Sequence, residues 1–175
     1  MSPTVAELLE RNRQLAATHE PSPTLSEMGK EGKSPPKILI VTCVDPRCNP
    51  AEFLGLNTGD ALVFRNICGH ITPVLKDIAA FDVFLGLSDI MVIHHTDCGA
   101  THFTDDFIRD GLKKRFPTNG DIDSMSFGAI TDLEQSVKDD LEILRKSPLI
   151  TKELAERSVG FVYDIKSGLL TAVEE

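Results

Sequence analysis

A chain of 175 residues with 41% apolar side chains is long enough to close one hydrophobic core, so a single domain spanning 1–175 is the expectation. Its formal charge of -9 repels phosphate backbones and anionic lipid, which argues against nucleic acid or a membrane surface as partner. The N-terminus, with Glu7, Glu10 and Arg11, lacks the apolar stretch of a signal peptide, and no later run approaches membrane-spanning length, so a cytoplasmic location is expected.

Along the chain, Thr4-x-x-Glu7 reads as a capping box, and Val5, Leu8, Leu9, Leu15 and Ala16 fall on one side of an amphipathic helix over 4–18. Residues 20–36 hold Pro21, Pro23, Gly29, Gly32, Pro35 and Pro36 and read as an extended connector without helix or ladder. The body, 37–175, then alternates. Apolar runs at Ile38–Cys43, Ala61–Arg65 and Ile90–His95 are separated by a short helical piece at Pro50–Leu54 and a helix opened by Thr72-Pro73 and stopped at Gly86, and followed by a helix from about Thr101. This pattern predicts an α/β fold with a parallel sheet flanked by helices. Residues 116–128 read as an irregular loop, Thr131-x-x-Glu134 as the start of another amphipathic helix, and Val159–Ile165 with Leu169–Val173 as a C-terminal hairpin at the sheet edge turning at Gly168.

Four cysteines without a CxxC pair do not suggest a disulfide framework, so the question is which of them have company. The runs ending in Cys43 and His95 reach the same carboxyl edge of a parallel sheet, where open α/β sheets bind ligands. Cys98 follows His95 by three residues, at the turn into the next helix, whose N-terminus would favour a thiolate. Two sulfurs and one imidazole suit Zn²⁺ and leave one coordination position open, as a catalytic site requires. Two thiolates cancel the formal charge of the ion and weaken it as a Lewis acid, so a second group must assist. Asp45 and Arg47, at alternate positions beyond Cys43 in an extended segment, are expected to face one side as a bidentate pair, with Arg47 keeping Asp45 off the metal. His94 has the opposite strand parity and is expected to pack elsewhere; His70 is a candidate proton acceptor and Asp97 a buttress.

Cys43-Val-Asp45-Pro-Arg47 together with His95-Thr-Asp-Cys98 resembles the paired motifs of the β-class carbonic anhydrases, particularly their short, compact branch. Gly59–Asn66, Ile93–Gly99 and Gly160–Asp164 are similar to that family as well. The resemblance implies zinc as cofactor and reversible hydration of carbon dioxide to bicarbonate by zinc-bound hydroxide. It also implies a homodimer or higher homo-oligomer whose N-terminal helix packs on a neighbouring subunit. It suggests a substrate pocket of Phe64, Asn66, Ile67, Cys68 and Gly99. Pro46 and Cys68 depart from the usual pattern and would narrow the pocket or make it more apolar. Some relatives hydrolyse carbonyl sulfide, which makes that gas the alternative substrate. A non-catalytic zinc-stabilised module and a thiol redox sensor are rivals from other classes.

Overall fold

The computed structural model describes residues 2–32 and 34–174 and divides into two compact units, Met1–Ser34 and Pro35–Glu175. In the first unit, helix α1 (Val5–Ala16) carries the expected capping box: the Thr4 hydroxyl accepts from the Glu7 amide, and the Glu7 carboxylate accepts from the Thr4 amide. The stretch read as an extended connector is not wholly extended. Thr24-x-x-Glu27 is a second capping box, and it opens a short helix α2 (Leu25–Lys30) in the proline-free interval between Pro23 and Pro35.

The second unit holds strands β1 (Ile38–Cys43), β2 (Ala61–Asn66), β3 (Asp89–His95), β4 (Ser158–Tyr163) and β5 (Leu170–Ala172) in the spatial order β2-β1-β3-β4-β5. The first four are parallel, and β5 closes one edge antiparallel to β4 as the second half of the expected hairpin. The α/β class therefore stands as expected. Helices α3 (Pro50–Phe53), α4 (Leu75–Leu85), α5 (Asp105–Arg115), α6 (Leu133–Lys146) and α7 (Lys152–Glu156) connect and cover the strands. Among the described residues, no helix is long and apolar enough to cross a membrane.

The central strands β1 and β3 are buried almost throughout, as parallel strands covered on both faces must be. One core gathers Leu39, Val41, Ile90 and Val92 against Ile78 of α4 and Val137, Leu141 and Leu144 of α6. The other gathers Ile40, Ile93, Cys43, Cys98, Ile130 and Tyr163, with Phe53 stacked on Tyr163 at 4.2 Å. Alternation along β3 therefore sends His94 toward α6 and His95 toward the cysteines.

Several helix starts differ from the sequence reading. Thr72–Val74 is a 3-10 turn without a side-chain cap, ahead of α4. The chain after Cys98 makes another, Gly99–Thr101, and α5 begins only at Asp105, where Thr104 caps it. The cap of α6 is Asp132 rather than Thr131, because the Asp132 carboxylate reaches the Gln135 amide. The 116–128 loop contains a further 3-10 turn, Gly120–Ser124, anchored by buried Ile122. Helix α7, only five residues long, gives too little periodic signal to be read from sequence.

Gly160 of β4 lets α6 lie close against the sheet: a Cβ there would lie 2.4 Å from Val137 Cγ1 and 3.0 Å from Leu141 Cδ1. Gly160→Ala is expected to destabilise the fold by about 1–3 kcal/mol through overpacking. Urea unfolding measures this, and an unchanged midpoint would show that α6 is not seated as described.

Candidate active site

Cys43 ends β1, His95 ends β3, and Cys98 follows a tight bend in which Asp97 adopts a left-handed φ of 54°. The parallel register, Thr42 opposite Ile93, delivers both strand ends to one edge. There the two Sγ atoms are 3.8 Å apart, and the Cys43, His95 and Cys98 donor atoms all lie within 4.8 Å of one another. All three residues are buried. His95 Nδ1 donates to the Thr96 carbonyl at 3.0 Å, which leaves Nε2 as the lone pair turned toward the sulfurs. That Nε2 is buried and has no hydrogen-bond partner.

An orphaned imidazole nitrogen and two adjacent sulfurs form the donor set of a tetrahedral soft-to-borderline metal site, and the residues present fit such an ion. The expected help from a helix N-terminus is absent, because Cys98 precedes only a three-residue turn. Contact with Cys98 and burial together push the Cys43 thiol up to about 12. The pocket thus disfavours bare thiolates, and a cation must supply what the helix does not.

Asp45 and Arg47 do pair, although not through an extended segment. The chain turns, with the Cys48 amide donating to the Asp45 carbonyl at 2.9 Å. Arg47 donates to Asp45 Oδ1 from its own amide at 2.8 Å and from Nε at 3.0 Å, and to Oδ2 from Nη2 at 2.7 Å. These side-chain bonds hold the Asp45 carboxyl at about 2 despite partial burial. Asp45 Oδ2 stands 3.9 Å from His95 Nε2. Arg47 also donates from Nη1 to Asp97 Oδ2 at 2.7 Å and from Nη2 to the Asp97 carbonyl at 2.9 Å, and His102 Nε2 lies 3.0 Å from Asp97 Oδ1. One guanidinium therefore fastens the loop after β1 to the loop after β3.

Arg65, which sequence reasoning passed over, holds the same loop from β2, donating to the Cys43 carbonyl at 3.0 Å and the Asp45 carbonyl at 2.6 Å. Its signal was available: it occupies the penultimate position of the strand beside β1. Of the residues expected to form a pocket, Cys68 is buried in the same cluster as Cys43 and Cys98, with its Sγ 3.1 Å from the Gly128 carbonyl. Gly99 directly follows Cys98. Asn66 folds the loop after β2, bonding the Gly69 amide and the His70 carbonyl, and Ile67 is exposed beside it. Phe64 lies apart from this group, packed edge-on against Phe81 in the other core. Cys48 is fully buried against the Thr42 hydroxyl. His94 bonds Ser136, and His70 faces Asp140.

Gly69, with φ of 89°, lets the loop after β2 lie against β1: a Cβ would meet Thr42 backbone atoms at 2.8 Å. Gly69→Ala is expected to cost about 1–3 kcal/mol and to displace Cys43. Thermal unfolding together with metal titration tests this, and an unchanged melting temperature would contradict it.

The sequence profile of the carbonic anhydrase family matches residues 38–170. β-Carbonic anhydrase 1 of Mycobacterium tuberculosis is 33% identical over 137 residues, covering 78% of this chain and 81% of its own. Carbon disulfide hydrolase of an Acidianus species is 30% identical over 156 residues, covering 75% of this chain and 74% of its own. Among solved structures, a carbonic anhydrase of Streptococcus mutans superposes with a TM-score of 0.82 at 32% identity, covering 99% of this chain and all of the other. With strand order, strand-end residues and profile in agreement, the chain belongs to the β-carbonic anhydrase family of enzymes.

Proposed function

We propose that the protein hydrates carbon dioxide reversibly to bicarbonate, with Cys43, His95 and Cys98 holding Zn²⁺ and Asp45 and Arg47 serving the reaction beside it. The observation that carries this reading is the buried, partnerless His95 Nε2 facing two sulfurs 3.8 Å apart, next to a carboxylate locked by an arginine. Zinc bound there supplies Lewis acidity toward water, making a nucleophile available near neutral pH even though two thiolates offset its formal charge.

Asp45 is ionised and accepts a hydrogen from the attacking water, aiming the oxygen lone pair at the carbon of the substrate. Arg47 keeps it in that role, since three hydrogen bonds to Asp45 and two to Asp97 remove its freedom to swing toward the cysteines. Cys68 and Gly99 border the site, Asn66 and Ile67 stand at the end of β2 and in the loop that follows it, and Phe64, packed in the other core, is not part of it. A second reading, hydrolysis of a C=S bond in carbonyl sulfide or its disulfide analogue, is favoured by the buried Cys68 sulfur beside Cys98 and by the carbon disulfide hydrolase relatives.

The catalytic body is 37–175, and 4–18 is an arm of the same functional domain. The arm's exposed Val5, Leu8, Leu9 and Leu15 supply an apolar face for a neighbouring subunit in a homodimer or larger homo-oligomer, which light scattering tests against a monomer. Four free, buried cysteines suit the reducing cytoplasm.

Stopped-flow hydration by zinc-loaded protein is expected to lie far above background. Arg47→Ala is expected to keep zinc and lose about 100-fold or more in kcat, since the carboxylate is no longer aimed. Background hydration by a zinc-loaded wild type would overturn the reading, and rapid sulfide release from carbonyl sulfide in parallel would select the second one.

Because both thiols of the ion-free protein are raised above their ordinary range, zinc uptake near neutral pH must displace their protons. Affinity is therefore expected to rise with pH, with about two protons released per ion. An indicator dye in weakly buffered solution reads this directly, and release of none would contradict ligation by two cysteines.

A further inference from the structure

Three side chains on the α6 side of β3 present the same pattern of bonding that singles out His95 Nε2. Asp140, on α6, is 2% exposed, and its Oδ1 accepts from the Ile71 amide at 2.9 Å. Its Oδ2 lies 2.8 Å from His70 Nδ1 and 3.2 Å from His94 Nε2. The outer nitrogen of each imidazole is committed elsewhere. His70 Nε2 is 3.2 Å from the Gly128 carbonyl, which can only accept, so that nitrogen carries the proton. His94 Nδ1 is 2.7 Å from Ser136 Oγ, whose hydrogen goes to the Leu133 carbonyl at 2.8 Å, so Ser136 accepts and His94 Nδ1 carries the proton. At the inner nitrogens, His70 Nδ1 hydrogen-bonds Asp140 Oδ2, and that contact raises the affinity of His70 for a proton, whereas His94 Nε2 in the neutral imidazole is a bare lone pair.

Two imidazole nitrogens and a carboxylate oxygen thus converge within 4.8 Å of one another, and His94 Nε2, fully buried, has no hydrogen-bond partner. A proton on His70 Nδ1 answers Asp140 but leaves His94 Nε2 facing a carboxylate oxygen, which is repulsive unless a cation lies between them; a metal ion displacing that proton would serve all three donors. Donor atoms on a tetrahedral ion with bonds near 2 Å are separated by about 3.3 Å, close to the 3.2 Å between His94 Nε2 and Asp140 Oδ2, while the 2.8 Å hydrogen bond from His70 would have to lengthen to admit the ion. The group opens on a cleft of about 550 Å³ lined in part by His70, Thr72, Phe127, Gly128, Ser136 and Asp140, which gives an ion a path in. Gly128 is required for the arrangement, because a Cβ there would lie 2.6 Å from the His70 ring.

We propose that His70 Nδ1, His94 Nε2 and Asp140 Oδ2 form a second metal site, distinct from the cysteine-containing trio. Two imidazoles and one carboxylate suit a divalent transition ion such as zinc or cobalt rather than calcium or magnesium. Each histidine is oriented through its outer nitrogen and Asp140 through Oδ1, as ligands of metal sites are. The ion ties together the loop after β2, the end of β3 and α6.

The test titrates protein carrying one zinc per chain, held at the cysteine site, with Co²⁺ and follows visible absorption and metal content. The expected result is uptake of one cobalt per chain, with d–d bands but without the thiolate-to-cobalt charge-transfer band that a cysteine site produces. Asp140→Asn, which keeps an oxygen for the Ile71 amide, and His70→Ala, at a part-exposed side chain, are each expected to weaken this uptake by more than about 100-fold. Absence of cobalt uptake overturns the proposal. So does uptake accompanied by the thiolate band, or uptake equally strong in both variants. The cysteine site is read separately, from zinc content and from that band in protein loaded with cobalt alone, so failure at one site is not mistaken for failure at the other.

Discussion

The parallel pairing of β1 with β3 is the constraint from which the site follows. With Thr42 opposite Ile93, the strands end together, and the chain has no choice but to deliver Cys43 and His95 to one edge of the sheet. Everything beyond is the fastening of two loops. Arg47 spans from Asp45 to Asp97, Arg65 holds the carbonyls of Cys43 and Asp45, and Gly69 allows the loop after β2 to press on Thr42. A slip of one residue between the strands would exchange the faces of His94 and His95 and dismantle the site.

That exchange is informative because the two adjacent histidines lead to different chemistry. His95 looks to sulfur, with its other nitrogen held by the Thr96 carbonyl; His94 looks to Asp140, with its other nitrogen held by Ser136. Burial alone does not separate them, since both are fully enclosed. What separates them is the softness of the donors they meet, two thiols in one case and an imidazole and a carboxylate in the other.

The sheet and its strand-end residues were legible in the sequence because apolar runs of parallel strands are continuous and end at chemically distinctive side chains. The relation of Asp45 to Arg47 was legible as a pairing, whereas its route was not: the pair forms across a turn closed by the Cys48 amide, which the alternation argument does not describe. Helix starts were less legible. Asp132 displaced Thr131 as the cap of α6, and α2 arose from a capping box inside what reads as a proline-rich connector, because local hydrogen bonds from single side chains decide such boundaries. Arg65, Asp140 and the role of Gly128 depend on contacts between residues far apart in the chain, and no local spacing announces them.

The central claim is that one imidazole and two sulfurs, contributed by two neighbouring strands, hold the catalytic ion. X-ray absorption at the zinc edge of protein carrying one zinc per chain addresses it most directly. Scattering from two sulfurs together with an imidazole is the predicted shell, and Cys98→Ser should reduce the sulfur count to one. A shell of nitrogen and oxygen alone would contradict the account.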